Sequence, residues 1–196
     1  MEFKIFVEGK ADLKFLQDYI NENFGKMLTE SNDFIITGGF EKLFDDKNIT
    51  ALQKNAHNEI RNIVIFDTDG NYAKKIEYLD ENKERYKVDF DLFLLPNNKD
   101  TGNLEALLLQ MANYENHEFY FDCFDDLINC LKKGISPEKI QNFEVPDLKA
   151  KVFTYLSFFK QDAKEEKRDY QNKDFWNLHH EATLPLKSFL DKYFQQ

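Results

Sequence analysis

Cysteine is scarce in this chain, which has only Cys123 and Cys130 among its 196 residues. The two lie in a segment with helical spacing, seven positions apart, so helix rise separates them by about 10 Å. That separation is too long for a disulfide, and no neighbouring His or Cys completes a zinc site. The sequence therefore predicts two buried free thiols and a reducing, cytoplasmic location.

Long apolar runs are also missing. Charged residues interrupt every apolar segment near the N-terminus, which excludes a signal-peptide pattern. No stretch approaches the roughly 20 apolar residues that a membrane-spanning helix needs. We therefore expect a protein without a membrane partner.

An excess of basic residues is missing as well. The chain has 26 Lys and Arg against 36 Asp and Glu, a formal net charge of -10. This balance argues against a broad nucleic-acid-binding surface, because the overall field repels polyanions. A local basic groove, or binding through a metal ion, remains compatible with it.

The first half of the chain alternates between short apolar runs and helix-length segments. This alternation is typical of βα repeats. We expect a Rossmann-like, mostly parallel four-stranded sheet with helices on both faces, because the strands are apolar on both sides. The predicted strands are residues 2–7, 34–36, 61–66 and 88–95, and the predicted helices are residues 11–24, 40–52 with a break near 45–48, and 72–85.

The second half shows only helical patterning, which predicts a C-terminal helical extension. We place an α/β domain at residues 1–115 and the extension, packed on it, at 116–196, an arrangement that also suits one single domain. The polar run 163–167 is interpreted as a solvated face or loop. The predicted helices are residues 103–114, 119–133, a start at 136–138, 147–159 and 183–194.

Carboxylates stand at the ends of the predicted strands. Glu8 follows the first strand, Asp67 and Asp69 follow the third, and Glu105 follows the fourth. Asp12 lies one helical turn after Glu8. In an open α/β sheet, ligands bind outside the carboxyl ends of the strands where strand order reverses, so we expect these acids to converge.

Converging carboxylates repel one another, and a divalent cation relieves the repulsion. Magnesium prefers oxygen ligands and keeps several waters, so the sequence predicts a Mg²⁺ site, for which Mn²⁺ would substitute. Such a site suits displacement at phosphorus. We assign catalytic roles to Glu8, Asp67 and Asp69, and expect Lys99 to contact a phosphate or assist proton transfer.

Three segments resemble a known family. Residues 6–12, FVEGKAD, look like the glutamate motif of Toprim domains, and residues 63–69, IVIFDTD, look like their DxD motif. Residues 95–105, LPNNKDTGNLE, are similar to a segment of small Toprim-like proteins related to the OLD-type nucleases. The resemblance extends to residues 175–190 and so covers most of the chain.

The resemblance implies metal binding by Glu8, Asp67 and Asp69, and by similarity to the OLD branch also by Asp12 and Glu105. It implies magnesium-dependent, nuclease-like phosphodiester chemistry on nucleic acid or another phosphate-containing substrate. One alternative is a phosphatase of the haloacid-dehalogenase type with Asp67 as nucleophile. Another is a non-catalytic metal-binding or assembly module. A protein partner and a homo-oligomer both remain open.

Overall fold

The computed structural model describes residues 2–134 and 144–194, and its centre is a four-stranded sheet. All strand pairs are parallel, in the order β2-β1-β3-β4, which confirms the predicted fold class. The strands are β1 (Phe3–Val7), β2 (Phe34–Ile36), β3 (Arg61–Asp67) and β4 (Asp91–Leu95).

Helices connect the strands and make up the second half of the described chain. Gly25 ends the first helix in the left-handed conformation, at φ 63°, as its position predicts. The helices are α1 (Lys10–Phe24), α2 (Glu30–Asp33), α3 (Asp46–His57), α4 (Tyr72–Tyr86), α5 (Leu104–Met111), α6 (Tyr114–Gly134), α7 (Leu148–Phe158) and α8 (Leu184–Phe194). Short 3-10 helices cover Phe40–Phe44, Glu165–Lys167 and Glu181–Thr183.

Two other predictions concern these helices. The helix start predicted at residues 136–138 lies outside the described residues. Within residues 2–134 and 144–194, every helix is too short or too polar to cross a bilayer.

Both faces of the sheet are buried, which explains the continuously apolar strands. Successive side chains of a strand point to opposite faces, so Ile63 and Ile65 join one hydrophobic cluster while Val64 and Phe66 join the other. The second cluster is closed by α3, α4 and the 3-10 helix Phe40–Phe44. The first is closed by α1 and by helices from the second half of the chain. The sheet is therefore a rigid support for the residues at its carboxyl edge.

The second half of the chain packs directly on the first face of the sheet. Tyr155 and Trp176 belong to the same cluster as the strand residues, and Trp176 also forms an antiparallel bridge with Ala112. The division between residues 115 and 116 stays a prediction. The packing nevertheless brings C-terminal residues close to the sheet edge, which matters for the site.

The predicted burial of the two cysteines is wrong. Cys123 and Cys130 are free, as predicted, but exposed. The buried side of α6 carries Tyr120, Phe121 and Ile128 instead. Residues seven apart share a helix face, so the spacing correctly placed the two thiols together but did not show which face turns inward.

Candidate functional site

The two central strands bring the first predicted site residues side by side. The connections after β1 and after β3 leave toward opposite edges of the sheet, which creates a crevice at the carboxyl ends of these strands. Val7 pairs with Ile65, so Glu8 emerges next to the end of β3. The crevice lies where the sequence predicts a ligand site.

Glu8 ties three segments together at this edge. Its Oε1 accepts a hydrogen bond from the Asp67 amide at 3.1 Å, and its Oε2 accepts one from the Phe40 amide at 3.0 Å. Burial raises the pKa of Glu8, and the nearby Lys75 ammonium partly opposes that rise. The carboxylate therefore fixes the relative positions of β1, β3 and the 3-10 helix Phe40–Phe44.

Asp67 lies at the centre of the acidic group. Its Oδ1 accepts a hydrogen bond from the amide of Leu104, the first residue of α5, at 2.8 Å. Burial, the largest cause, and four neighbouring carboxylates together raise the pKa of Asp67 to about 9. These neighbours are Asp12, Asp69, Glu8 and Glu105. The predicted acids thus come close enough for their charges to act on the half-buried carboxyl group of Asp67.

Asp12 and Glu105 line the same cavity as Glu8 and Asp67, a space of about 280 Å³. Asp12 is buried in the first turn of α1, where its Oδ2 accepts a hydrogen bond from the Gly9 amide at 2.8 Å. Burial, with a smaller effect of the Glu8 and Glu105 charges, raises its pKa to about 7. Glu105 is buried in the first turn of α5, and burial raises its pKa as well. We call this space the carboxylate cavity.

Asp69 occupies the rim rather than the interior. Its side chain is 60% exposed and its backbone is left-handed, at φ 51°. The amides of Thr68 and Asp69 both donate to the Gly102 carbonyl, at 3.0 and 2.8 Å. The DxD segment therefore directs Asp67 inward and leaves Asp69 accessible from solvent, while Gly102 holds the turn between them.

Replacement of Gly102 by Ala tests how closely this turn is held. A Cβ at Gly102 would lie 2.9 Å from Cδ of Pro96, and the rigid ring has little freedom to move. We expect Gly102→Ala to lower the free energy of unfolding by about 1–3 kcal/mol, measured by urea denaturation. Gly70→Ala is the matched control, because a Cβ there meets no atom within 4 Å. Equal stability of the two variants would contradict this account.

The cation beside Glu8 and Asp69 is not the predicted one. Lys99 is exposed in the loop after β4 and is not among the residues that line the carboxylate cavity. Lys75, whose side chain is 10% exposed, donates to the Asp67 carbonyl at 2.5 Å. Its Nζ also lies 4.0 Å from carboxylate oxygens of Glu8 and Asp69. Sequence reasoning missed Lys75, because the charged pattern of residues 72–85 marks it as an exposed lysine.

The C-terminal half contributes charged residues that the sequence did not assign to the site. Lys149 and Glu165 line the carboxylate cavity, and their Nζ and Oε1 atoms lie 2.5 Å apart. The Arg168 side chain is 1% exposed, and its Nη1 lies 3.8 Å from Oε1 of Glu105. The run 163–167 is therefore only partly the predicted solvated face, and no local pattern marks the residues that turn inward.

A fully formed metal cage is not present among residues 2–134 and 144–194, where no group of three or more His, Cys, Asp or Glu side chains is arranged to hold an ion. Glu8, Asp12 and Asp67 are each hydrogen-bonded to backbone amides instead. Carboxylate oxygens retain further lone pairs in such bonds. Magnesium needs only one or two protein carboxylates beside its waters, so the donor set fits this ion.

Comparison with known proteins gives one match, to a family model that covers nearly the whole chain. The model is described as "Protein of unknown function (DUF3226)" and matches residues 2–195. The chain belongs to this family. All five predicted metal-binding carboxylates of the DUF3226 protein lie within the matched range. No curated protein and no solved structure matches this DUF3226 chain.

Proposed function

We propose that this DUF3226 protein is a Toprim-like enzyme that carries out magnesium-dependent phosphodiester chemistry on nucleic acid. The observation that carries the proposal is that Glu8, Asp12, Asp67 and Glu105 line one cavity at the crevice between β1 and β3. The order of Glu8 and then Asp67-x-Asp69, which resembles Toprim motifs, supports the same reaction class.

Mg²⁺ or Mn²⁺ would take its protein ligands from among the oxygens of Glu8, Asp12, Asp67, Asp69 and Glu105. When bound, a divalent cation polarises a phosphoryl oxygen and lowers the pKa of a bound water. Glu8 orients the end of β3 through the Asp67 amide, and the half-buried Asp67 lines the carboxylate cavity. Asp69, at the exposed rim, is accessible to a substrate phosphate that approaches from solvent.

Lys75 supplies the positive charge beside these acids, in the role that the sequence suggested for Lys99. It lies 4.0 Å from both Glu8 and Asp69, so it holds the interior and rim carboxylates together. Its ammonium also lies 4.0 Å from the ring centroid of Phe40, which limits its freedom to move. In the proposed reaction Lys75 positions the carboxylates and attracts the substrate phosphate.

A cleavage assay tests the proposal directly. We expect single-stranded or plasmid DNA, or RNA, to be cut in Mg²⁺ or Mn²⁺, and Glu8→Gln with Asp67→Asn to slow cleavage by about 100-fold or more. Glu77→Gln with Asp80→Asn makes the same charge change at exposed positions of α4 and should leave the rate unchanged. Cleavage that persists at the wild-type rate in the first double variant would refute the assignment.

The two alternatives give different results. A phosphatase with Asp67 as nucleophile would form an aspartyl-phosphate on that residue. The hydrogen bond that the Asp67 backbone amide donates to Oε1 of Glu8 places the Glu8 carboxylate beside Asp67, which favours a shared metal centre. A non-catalytic module would bind Mg²⁺ and leave every nucleic acid intact. Trapping with a phosphate analogue identifies the phosphatase, and the cleavage assay separates the nuclease from the non-catalytic module.

A further inference from the structure

A second cavity lies next to the carboxylate cavity. It has a volume of about 600 Å³, and Lys42, Lys74, Lys75 and Tyr78 line it. Gly38 and Gly39 line both spaces, so the two cavities meet at this turn after β2. We call the second space the lysine cavity. A ligand that spans the glycine turn would touch both.

Two of its lysines are free to bind an anion. Lys42 and Lys74 are exposed, and within residues 2–134 and 144–194 neither forms an ion pair with a carboxylate. The acids that line the same space are Glu41 and Asp69. Three lysines against two acids give the cavity a positive balance, whereas the whole chain carries -10.

The position of Lys42 brings this charge close to the carboxylates. A Cβ built on Gly38 would lie 3.6 Å from Nζ of Lys42, so the ammonium lies over the glycine turn that the cavities share. Gly38 and Gly39 have φ of 84° and 133°, backbone conformations that residues with a side chain rarely adopt. The turn therefore carries no side chain between the two cavities. Carboxylate oxygens lie on one side of it and lysine ammonium groups on the other.

An aromatic ring lines the same space. Tyr78 is 36% exposed, and its ring packs against Phe40 and Phe44 with centroid distances of 5.2 and 6.0 Å. These contacts fix the ring orientation while leaving part of its surface open. Lysines beside an accessible aromatic ring are the combination by which proteins bind a single-stranded nucleotide without reading its sequence.

We propose that the lysine cavity binds the nucleotide next to the reacting phosphodiester. Lys42 and Lys74 pair with its phosphate, and its base stacks on Tyr78. The inference rests on the proposed function and adds the path that the strand follows, from the carboxylate cavity across Gly38 and Gly39. It also explains how a strongly acidic protein holds a polyanion, since the contacts are confined to one local positive space.

Binding of a fluorescein-labelled oligothymidylate, followed by anisotropy with Ca²⁺ in place of Mg²⁺, tests the site. We expect Lys42→Gln with Lys74→Gln to weaken binding about tenfold and to reduce the slope of log affinity against log salt by roughly 1.4, for two single-strand phosphate contacts. Lys47→Gln with Lys54→Gln, an identical charge change on exposed positions of α3, should leave both quantities unchanged. Equal binding by the two double variants would overturn the proposal.

The Tyr78 arm separates a nucleotide from a free phosphate. Tyr78→Ala should weaken oligothymidylate binding about tenfold, while Tyr78→Phe should retain it, because stacking needs only the ring. Inorganic phosphate should compete at the lysines equally well in wild type and Tyr78→Ala. A loss of phosphate competition in Tyr78→Ala, or wild type that binds no oligothymidylate, would contradict the proposed site.

A metal titration in the same variants keeps the two proposals distinct. The Mn²⁺-induced rise in melting temperature should persist in Lys42→Gln with Lys74→Gln, since neither lysine lines the carboxylate cavity. If that rise persists and oligothymidylate binding is unchanged, the lysine cavity is wrong and the metal-centre proposal stands. If wild type shows no rise but the lysine variants lose binding, the metal centre is wrong and the nucleotide site stands.

Discussion

Adding Mg²⁺ or Mn²⁺ raises the melting temperature of the wild-type protein, and Asp67→Asn abolishes that rise. Binding to the folded state alone stabilises it by about 2.7 kcal/mol at a metal concentration one hundred times the dissociation constant. For a chain of this length the shift is roughly 5–11 °C. Asp67 is decisive because four carboxylates already act on its charge, and a cation between them relieves all of those repulsions.

The same substitution should stabilise the metal-free protein. Asn keeps an Oδ1 acceptor for the Leu104 amide, which Asp67 binds at 2.8 Å, and removes a charge that burial opposes. Because the pKa of Asp67 is about 9 in the folded protein and 3.8 ordinarily, the folded state holds the proton more tightly. The stability of the metal-free wild type therefore falls as pH rises between those values. The stability of Asp67→Asn relative to the wild type increases over the same range.

Differential scanning fluorimetry with EDTA and with Mn²⁺, across that pH range, measures both effects. Metal must displace the proton from Asp67, so apparent affinity should increase as pH approaches about 9. Asp80→Asn removes an exposed charge on α4 and should behave as wild type. Equal Mn²⁺ shifts in wild type and Asp67→Asn would show that metal binds elsewhere.

The position of the acidic residues was predictable because it depends on strand ends. The apolar run 63–66 marks a buried strand, and parallel strands present their carboxyl ends at one edge. Glu8 and Asp67 follow from that rule alone. That rule does not predict how far each side chain is buried. Asp69 lies at the rim because its backbone is left-handed, and that turn depends on hydrogen bonds to Gly102.

The surrounding cations were not predictable in the same way. The apolar stripe of Tyr72, Ile76 and Leu79 correctly marks the inner side of α4, but it leaves Lys75 looking like a surface residue. The Lys75 side chain reaches the end of β3 only because α4 packs on that face of the sheet. Arg168 lies in a polar run, yet it is buried by helices that are distant in the sequence. The local hydrophobic periodicity does not predict such burial.

Arg168→Met should lower the free energy of unfolding by about 3–5 kcal/mol, the cost of leaving a buried charge without its partner. Met preserves most of the side-chain length, so the loss is chiefly electrostatic. Glu105 remains buried, with its Oε1 no longer 3.8 Å from a guanidinium. Arg168 also donates from Nε to the Ala163 carbonyl at 3.3 Å, and that bond is lost as well. Urea denaturation in EDTA measures the change without a metal contribution.

A double variant separates the ion pair from general packing. Arg168→Met with Glu105→Gln removes both buried charges and should be more stable than Arg168→Met alone, with a coupling of about 1–3 kcal/mol. Lys164→Met, at an exposed position of the same segment, should change stability little.

Burial raises the pKa of Glu105, and the Arg168 charge partly opposes that rise, so removal of Arg168 raises the pKa further. The destabilisation by Arg168→Met should therefore grow as pH rises above the pKa that Glu105 has in the folded wild type, which burial already holds above the ordinary glutamate value of 4.5. The loss of stability in Arg168→Met could instead be independent of pH, and the effects of the two single variants could simply add. That result would mean that Arg168 stabilises the protein through packing alone and that α5 alone determines the position of Glu105.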